Sequence, residues 1–317
     1  MGGRELAHSF CNGGPMDWEY FLSLTLGGLT RGSIYALLAL GYTMVYGIIQ
    51  LINFAHGEIY MIGAFTALIV AGVLTYTGLL ALAISAIAIA VAVIFASGYG
   101  VTMERIAYRQ IRYAPRLSAL ISAIGMSLFL QNYVLLVQTS NFLPYPSLIP
   151  EIPGMAGIRN IMTSSQLVIF VTTIVVMIGL TLLIRYTKIG KAMRATSQDK
   201  TMAKLLGISV DKVIAVTFVI GSATAALGGV LISSHVGQIN FYIGFIAGIK
   251  AFVAAVLGGI GSIPGAVLGS FVLGMTESFG TGYISSTYED VFAFLILVLI
   301  LIFRPEGLLG VSTRQKV

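Results

Sequence analysis

From Trp18 to Phe303 the chain alternates long apolar runs with short polar or charged breaks, and this rhythm limits what it can become more than any other feature. The runs fall at Trp18 to Ile49, Ile59 to Tyr76, Leu79 to Val101, Leu117 to Val137, Gln166 to Ile184, Val213 to Ser233, Phe245 to Leu257, Pro264 to Phe279 and Val291 to Phe303. A bilayer core about 30 Å thick takes ~20 apolar residues per helical crossing. The pattern therefore predicts an all-α polytopic membrane protein with about nine transmembrane helices. The range is eight to ten, because the first run fits one tilted helix or a broken pair and the seventh is short. With 57% hydrophobic and 9% charged residues, against about 25% charged in globular chains, no soluble domain of useful size is left.

The basic residues lie in the breaks. Four fall in Glu104 to Arg116, seven in Arg185 to Lys212 and three in the tail (Arg304, Arg314 and Lys316), fourteen of the 18 in all. Positive charge marks the cytoplasmic side of a membrane protein, so these segments are assigned there. "TSNFLPYPSLIPEIPGMAGIRNIMTSS" and "GTGYISSTYED" are assigned outside, which leaves the N-terminus external and the C-terminus cytoplasmic. The net charge of +6 is spread over these breaks, without the interleaved aromatics of a nucleic-acid surface, and that partner class is excluded. Cys11 is the single cysteine, so no intramolecular disulfide and no C-x-x-C site can form. Residues 1–17 lack the apolar core of a signal peptide and are expected to be a disordered tail, with Met16 a candidate initiator. One transmembrane domain follows over 18–310, carrying a cytoplasmic loop at 185–212, and then a cytoplasmic tail over 311–317. Phe142 to Met155, with four prolines, reads as an ordered external loop or a floppy connector.

The basic segment "RYTKIGKAMRATSQDKTMAKLLGISVDK" is patterned rather than random. Asp199 is placed to cap a short helix, Met202, Leu205 and Leu206 share a face, and Gly207 supplies a left-handed stop. Gly190 to Thr196 offers a second short turn. Two short amphipathic helices suit docking into a partner's groove; the competing reading is a solvated loop facing anionic lipid.

The stretch "G-K-A-M-R-A…D…A-K-L-L-G-I" resembles the coupling loop of importer permeases of the ABC class, in the branch that handles branched-chain amino acids, urea and simple sugars. "GSIYALLALGYTMVYGIIQLINFAHGEIYMIGAF", "LISAIGMSLFLQNYV", "LLGISVDKVIAVTFVIGSATAALGGVL" and "FYIGFIAGIKAFVAAVLGGIGSIPGAVLG" are similar to the branched-chain amino acid members. The likeness runs from about Leu22 to Gly310. It implies a permease that moves leucine, isoleucine and valine inward by alternating access across a bacterial inner membrane. It also implies ATPase coupling through Gly190, Ala192, Arg194, Asp199, Ala203, Leu206 and Gly207. The implied partners are a second homologous permease in a heterodimer, two ATP-binding subunits holding ATP and Mg, and a periplasmic substrate-binding protein. No G-x-x-x-x-G-K-[ST] motif occurs in the chain, so no cofactor is expected in it and the ATPase must be another polypeptide.

Several polar groups lie among the apolar runs. Asn53, His56 and Glu58 read either as a capped turn, with Gly57 taking an unusual dihedral and Asn53 satisfying freed backbone groups, or as a gate on the substrate path. They are too few for a metal site. "AVLGGIGSIPGAVLGS", with Gly259, Gly261 and Pro264, reads as a broken helix pair on the path or as a tight turn with close packing. Lys250, a further candidate for the translocation path or gate, must be paired, with Glu277 the nearest candidate although its depth argues against contact, or must snorkel to a helix end. Arg31, inside the first run, marks a candidate break there.

An ion-coupled secondary transporter would be expected to carry more intramembrane carboxylates. An intramembrane hydrolase would need Ser262 beside His235, and residue 260 is Ile, so no G-x-S motif forms at Ser262. A urea or short-chain amide permease is the rival within the family.

Overall fold

A computed structural model describes residues 18–112, 114–149, 162–304 and 306–310. The expected tail over 1–17, Cys11, Met16, Pro150 and Pro153, and the tail over 311–317 lie outside the described residues. Eleven helices follow in chain order: α1 (Trp18–Ile49), α2 (His56–Thr75), α3 (Ala81–Met103, continued by a π turn, Glu104–Tyr108), α4 (Arg116–Val137), α5 (Ser164–Tyr186), α6 (Lys188–Gln198), α7 (Lys200–Leu205), α8 (Val210–Val236), α9 (Ile243–Gly258), α10 (Ile263–Tyr283) and α11 (Glu289–Phe303). Each of the nine apolar runs forms a helix. Seven of the described helices are long and apolar enough to span a membrane. An eighth candidate is α9 with α10, bent by 118° at the break between them.

The first run is one unbroken helix that passes straight through Arg31, so the candidate break there is not realised. Its 32 residues, at about 1.5 Å of rise each, outreach a bilayer core. From Gly28 onward the helix is largely enclosed by α2, α5, α8, α9 and α10. Where lipid supplies no hydrophobic drive, helices gain contact by bringing small residues together. Thus Gly32 on α1 faces Phe271 and Gly274 on α10, and a side chain at Gly274 would run into the α1 backbone. The apolar surfaces of α3, α4, α5 and α11 stay exposed, as faces turned to lipid would be.

The described parts of the three basic segments gather at one end. Arg109 and Arg112 pair with Asp211 at the start of α8, Lys200 Nζ donates to the carbonyl of Ile49 at the end of α1 at 2.9 Å, and Leu308 and Leu309 donate their N–H groups to Leu257 and Gly258 beside the α9–α10 break. At the other end α1 begins where α10 finishes, with Tyr20 Oη donating to Gly282 O. There the start of the proline-rich loop is ordered. Two-residue strands β1 (Leu143–Pro144) and β2 (Gln238–Ile239) pair antiparallel, and Tyr145 Oη reaches Ala64 O at 3.2 Å.

Candidate functional site

Four groups of residues singled out in the sequence occupy four levels of one bundle. At the basic end, Thr187 caps α6 by accepting from Gly190 N. Asp199 Oδ1 caps α7, accepting from Thr201 N at 2.7 Å and Met202 N at 3.0 Å. Gly207 then turns the chain with φ of +82°. The predicted second turn at Gly190 to Thr196 is a full helix of 11 residues, α6. Gly190 lies against the carbonyls of Leu183 and Ile184, and Ala192 is half-buried. Arg194 Nη1 donates to Ile184 O at 2.6 Å and Arg185 O at 3.1 Å, closing the free end of α5. Ala203 is buried while Met202, Leu205 and Leu206 are exposed. Of the seven coupling candidates, Leu206 therefore presents apolar surface, and the other six shape or anchor the segment. Burial, with Arg112 nearby, pulls the Lys200 ammonium below its usual range.

One cavity of about 300 Å³ joins this segment to the break. Its walls include Gly47 and Ile48 of α1, Thr181 of α5, Arg194 of α6, and Gly261 and Pro264. Gly259 and Gly261 take φ of +100° and +98°, which only glycine adopts cheaply. Ser262 caps α10 by accepting from Gly265 N, and Pro264 fills a first-turn position of that helix. His235, at the far end of α8, contacts Ser165 instead, so the hydrolase pair is not brought together.

Deeper in the bundle, α2 starts inside rather than at a surface. His56 sits against Gly41, well short of the end of α1, with its ring 4.8 Å from Tyr42. The dihedral expected of Gly57 belongs instead to Gln50, at φ of +60°. Gly57 is needed for another reason: it packs on Gly244 and Gly248, where a side chain would clash with α9. Likewise Asn53 does not cap the helix with its side chain; its Oδ1 accepts from Tyr108 Oη at 2.8 Å. The first turns of α2 and α9 thus meet inside the protein, and Glu58, fully buried, lies between them with Oε1 accepting from Ser127 Oγ at 2.9 Å. Its second oxygen, Oε2, has no hydrogen-bond partner among the described residues.

Towards the opposite end, Lys250 is 6% exposed and does not snorkel. Its Nζ lies 3.2 Å from Glu277 Oε1, 3.0 Å from Glu289 Oε1 and 2.9 Å from Asp290 Oδ1. Tyr35 Oη donates to Glu277 Oε2 at 2.7 Å, and Arg31 Nη1 stands 3.1 Å from Glu289. Depth does not separate Lys250 from Glu277, because α9 and α10 run side by side from their shared break. Sequence reasoning missed Tyr35, Glu289 and Asp290 as members of this group; the acids "ED" after a turn read as loop residues. A second cavity, of about 290 Å³, is lined by Arg31, Tyr35, Tyr60, Ile243, Lys250 and Glu289 among others. Along α1 the order is the opposite-end cavity at Arg31 to Tyr35, then an aromatic group of Tyr42, Phe54 and Phe252, then the basic-end cavity at Thr43 to Ile48.

Comparison with known proteins accords with this arrangement. Residues 24–301 match the family described as branched-chain amino acid transport system / permease component. The chain is 50% identical over 302 residues to the high-affinity branched-chain amino acid transport system permease protein LivH of Salmonella typhimurium, covering 94% of this chain and 98% of the relative. The LivH protein of Escherichia coli K12 and the BraD protein of Pseudomonas aeruginosa are each also 50% identical, with the same coverage. By a family match over most of its length and relatives matched almost end to end, this chain belongs to the branched-chain amino acid transport system permease family.

Proposed function

We propose that this chain is the membrane-spanning permease of an ATP-driven importer for leucine, isoleucine and valine. It would pair with a second homologous permease, two ATP-binding subunits that hold ATP and Mg, and a periplasmic binding protein that delivers substrate. The basic end faces the cytoplasm of a bacterial inner membrane, by the positive-inside rule, and the N-terminus lies outside.

The observation that carries this reading is the route from the exposed segment to the interior. Met202, Leu205 and Leu206 offer an apolar face to a partner, while Arg194 of the same segment is bonded to the end of α5 and shares a cavity with Gly261 and Pro264. A push on α6 and α7 therefore reaches both α5 and the glycine break. With one cavity at each end and aromatic rings at the intervening level, such a shift can open one side as it closes the other. The carried substrate is zwitterionic with an apolar side chain, which suits cavities of mixed lining.

Replacing Leu206 with Glu tests the docking face. The variant is expected to keep the second permease through purification and lose the ATP-binding subunits; retention of those subunits in full would refute the docking assignment.

A further inference from the structure

The cavity opposite the basic end contains cations and anions that neutralise each other across its wall. Glu289 Oε1 stands between Lys250 Nζ at 3.0 Å and Arg31 Nη1 at 3.1 Å. The Lys250 contact is a formed hydrogen bond, whereas the Arg31 nitrogen, itself shielded from solvent, lacks hydrogen-bond geometry to any described partner. That nitrogen is thus held by charge alone, with donor capacity to spare, on a side chain that is 40% exposed. Lys250 has two further anchors: Asp290 Oδ1 at 2.9 Å, and Glu277, which is fully buried and held by Tyr35. Glu289 is different. It belongs to the first turn of α11, a peripheral helix, and its side chain is 32% exposed. Lys250 and Glu277 are buried within the bundle, where ionisable groups in a membrane protein are costly and mark function.

We propose that Arg31, Lys250 and Glu289 form a binding site for the backbone zwitterion of an amino acid, with these three groups paired to one another when it is empty. The substrate carboxylate takes the hydrogen-bond donors of Arg31 and Lys250. Glu289 gives up those cations and receives the substrate ammonium. Lys250 keeps its contacts with Glu277 and Asp290 throughout, and offers the substrate only the donor that Glu289 releases. Ile34, Ile243, Ile246 and Ala247 supply the apolar wall against which a branched side chain rests. The cavity, about 290 Å³, lies at the lower end of the range of small-molecule sites, about 300 Å³ and upward, which suits one amino acid. Planar, bidentate recognition of a carboxylate is what arginine does better than lysine. The inference rests on the amino-acid reading above and deepens it.

The test uses the complex with its co-purifying subunits, carrying Cys11→Ser and Ile246→Cys. Ile246 lines the cavity and is 44% exposed, so the new thiol is open to a charged methanethiosulfonate. Leucine is expected to slow the reaction about tenfold, whereas 4-methylpentanoate, which lacks the ammonium, and 3-methylbutylamine, which lacks the carboxylate, slow it less than about twofold. Arg31→Gln should remove the protection by leucine and Arg31→Lys should restore part of it. Glu289→Gln should remove protection by leucine while improving that by 4-methylpentanoate, because a competing carboxylate is gone. Absence of protection by leucine, equal protection by the amine, or full protection in Arg31→Gln would overturn the site. ATP-dependent leucine uptake by the complex without these substitutions separates the two readings: uptake there, with no protection in the thiol-bearing complex, refutes the zwitterion site alone, and absence of leucine uptake refutes the substrate assignment on which the site rests.

Discussion

Arg194 on the short helix α6 bonds to the carbonyl of Ile184 in the last turn of the spanning helix α5, at 2.6 Å. A surface segment is tied here to the end of a spanning helix, and the carbonyls it closes have no helical partner of their own. Replacing Arg194 with Ala removes both bonds and leaves the docking face of α7 untouched. Hydrolysis of ATP by the assembled complex should persist while uptake per ATP falls about tenfold, since a charge-assisted bond is worth roughly 1.5–3 kcal/mol. Parallel measurement of phosphate release and uptake in vesicles checks this. Equal loss of both would place Arg194 in assembly.

Asp199 and Gly207 bracket α7, one as its cap and the other as its left-handed stop. Asp199→Ala with Gly207→Val should fray that helix, at about 1 kcal/mol for the cap and roughly 1–3 kcal/mol for a β-branched residue at positive φ. Hydrolysis should uncouple from uptake with expression preserved. Normal rates of both would show that the geometry of α7 does not transmit the signal.

Lys250 and Glu277 form a buried pair, and breaking a buried pair from one side costs more than removing it, about 3–5 kcal/mol. Lys250→Met should therefore lower the melting temperature of the detergent-purified complex sharply, and Lys250→Met with Glu277→Gln should recover most of the loss. A double variant less stable than the single one would contradict the pairing.

Tyr108 and Asn53 show the same asymmetry at smaller scale. Tyr108→Phe strands the buried Asn53 oxygen, costing about 1–3 kcal/mol, and a second change of Asn53 to Leu should restore stability. Thermal unfolding of the two variants reads the difference.

The helices were legible because burial in lipid requires long apolar runs, and each run became a helix close to its expected bounds. The caps at Asp199 and Gly207 were legible for a local reason, since a cap depends on the few residues beside it. What could not be read was depth. His56 lies inside because residues 50–55 carry the chain back along α1 and Gly57 meets Gly244 nearly two hundred residues later. The same ignorance of depth argued against Lys250 meeting Glu277, and made Glu289 look like an ordinary loop acid. Arg194 showed as a basic residue of a docking segment, while its bond to α5 depends on a chain reversal at Thr187 that no spacing announces.

The most direct test of the account is uptake of radiolabelled leucine and, separately, urea into vesicles containing this chain with its co-purifying partners, with and without ATP on the side of the ATP-binding subunits. The account predicts leucine uptake that requires ATP. Uptake of urea alone, or flux of leucine that is indifferent to ATP, would contradict it.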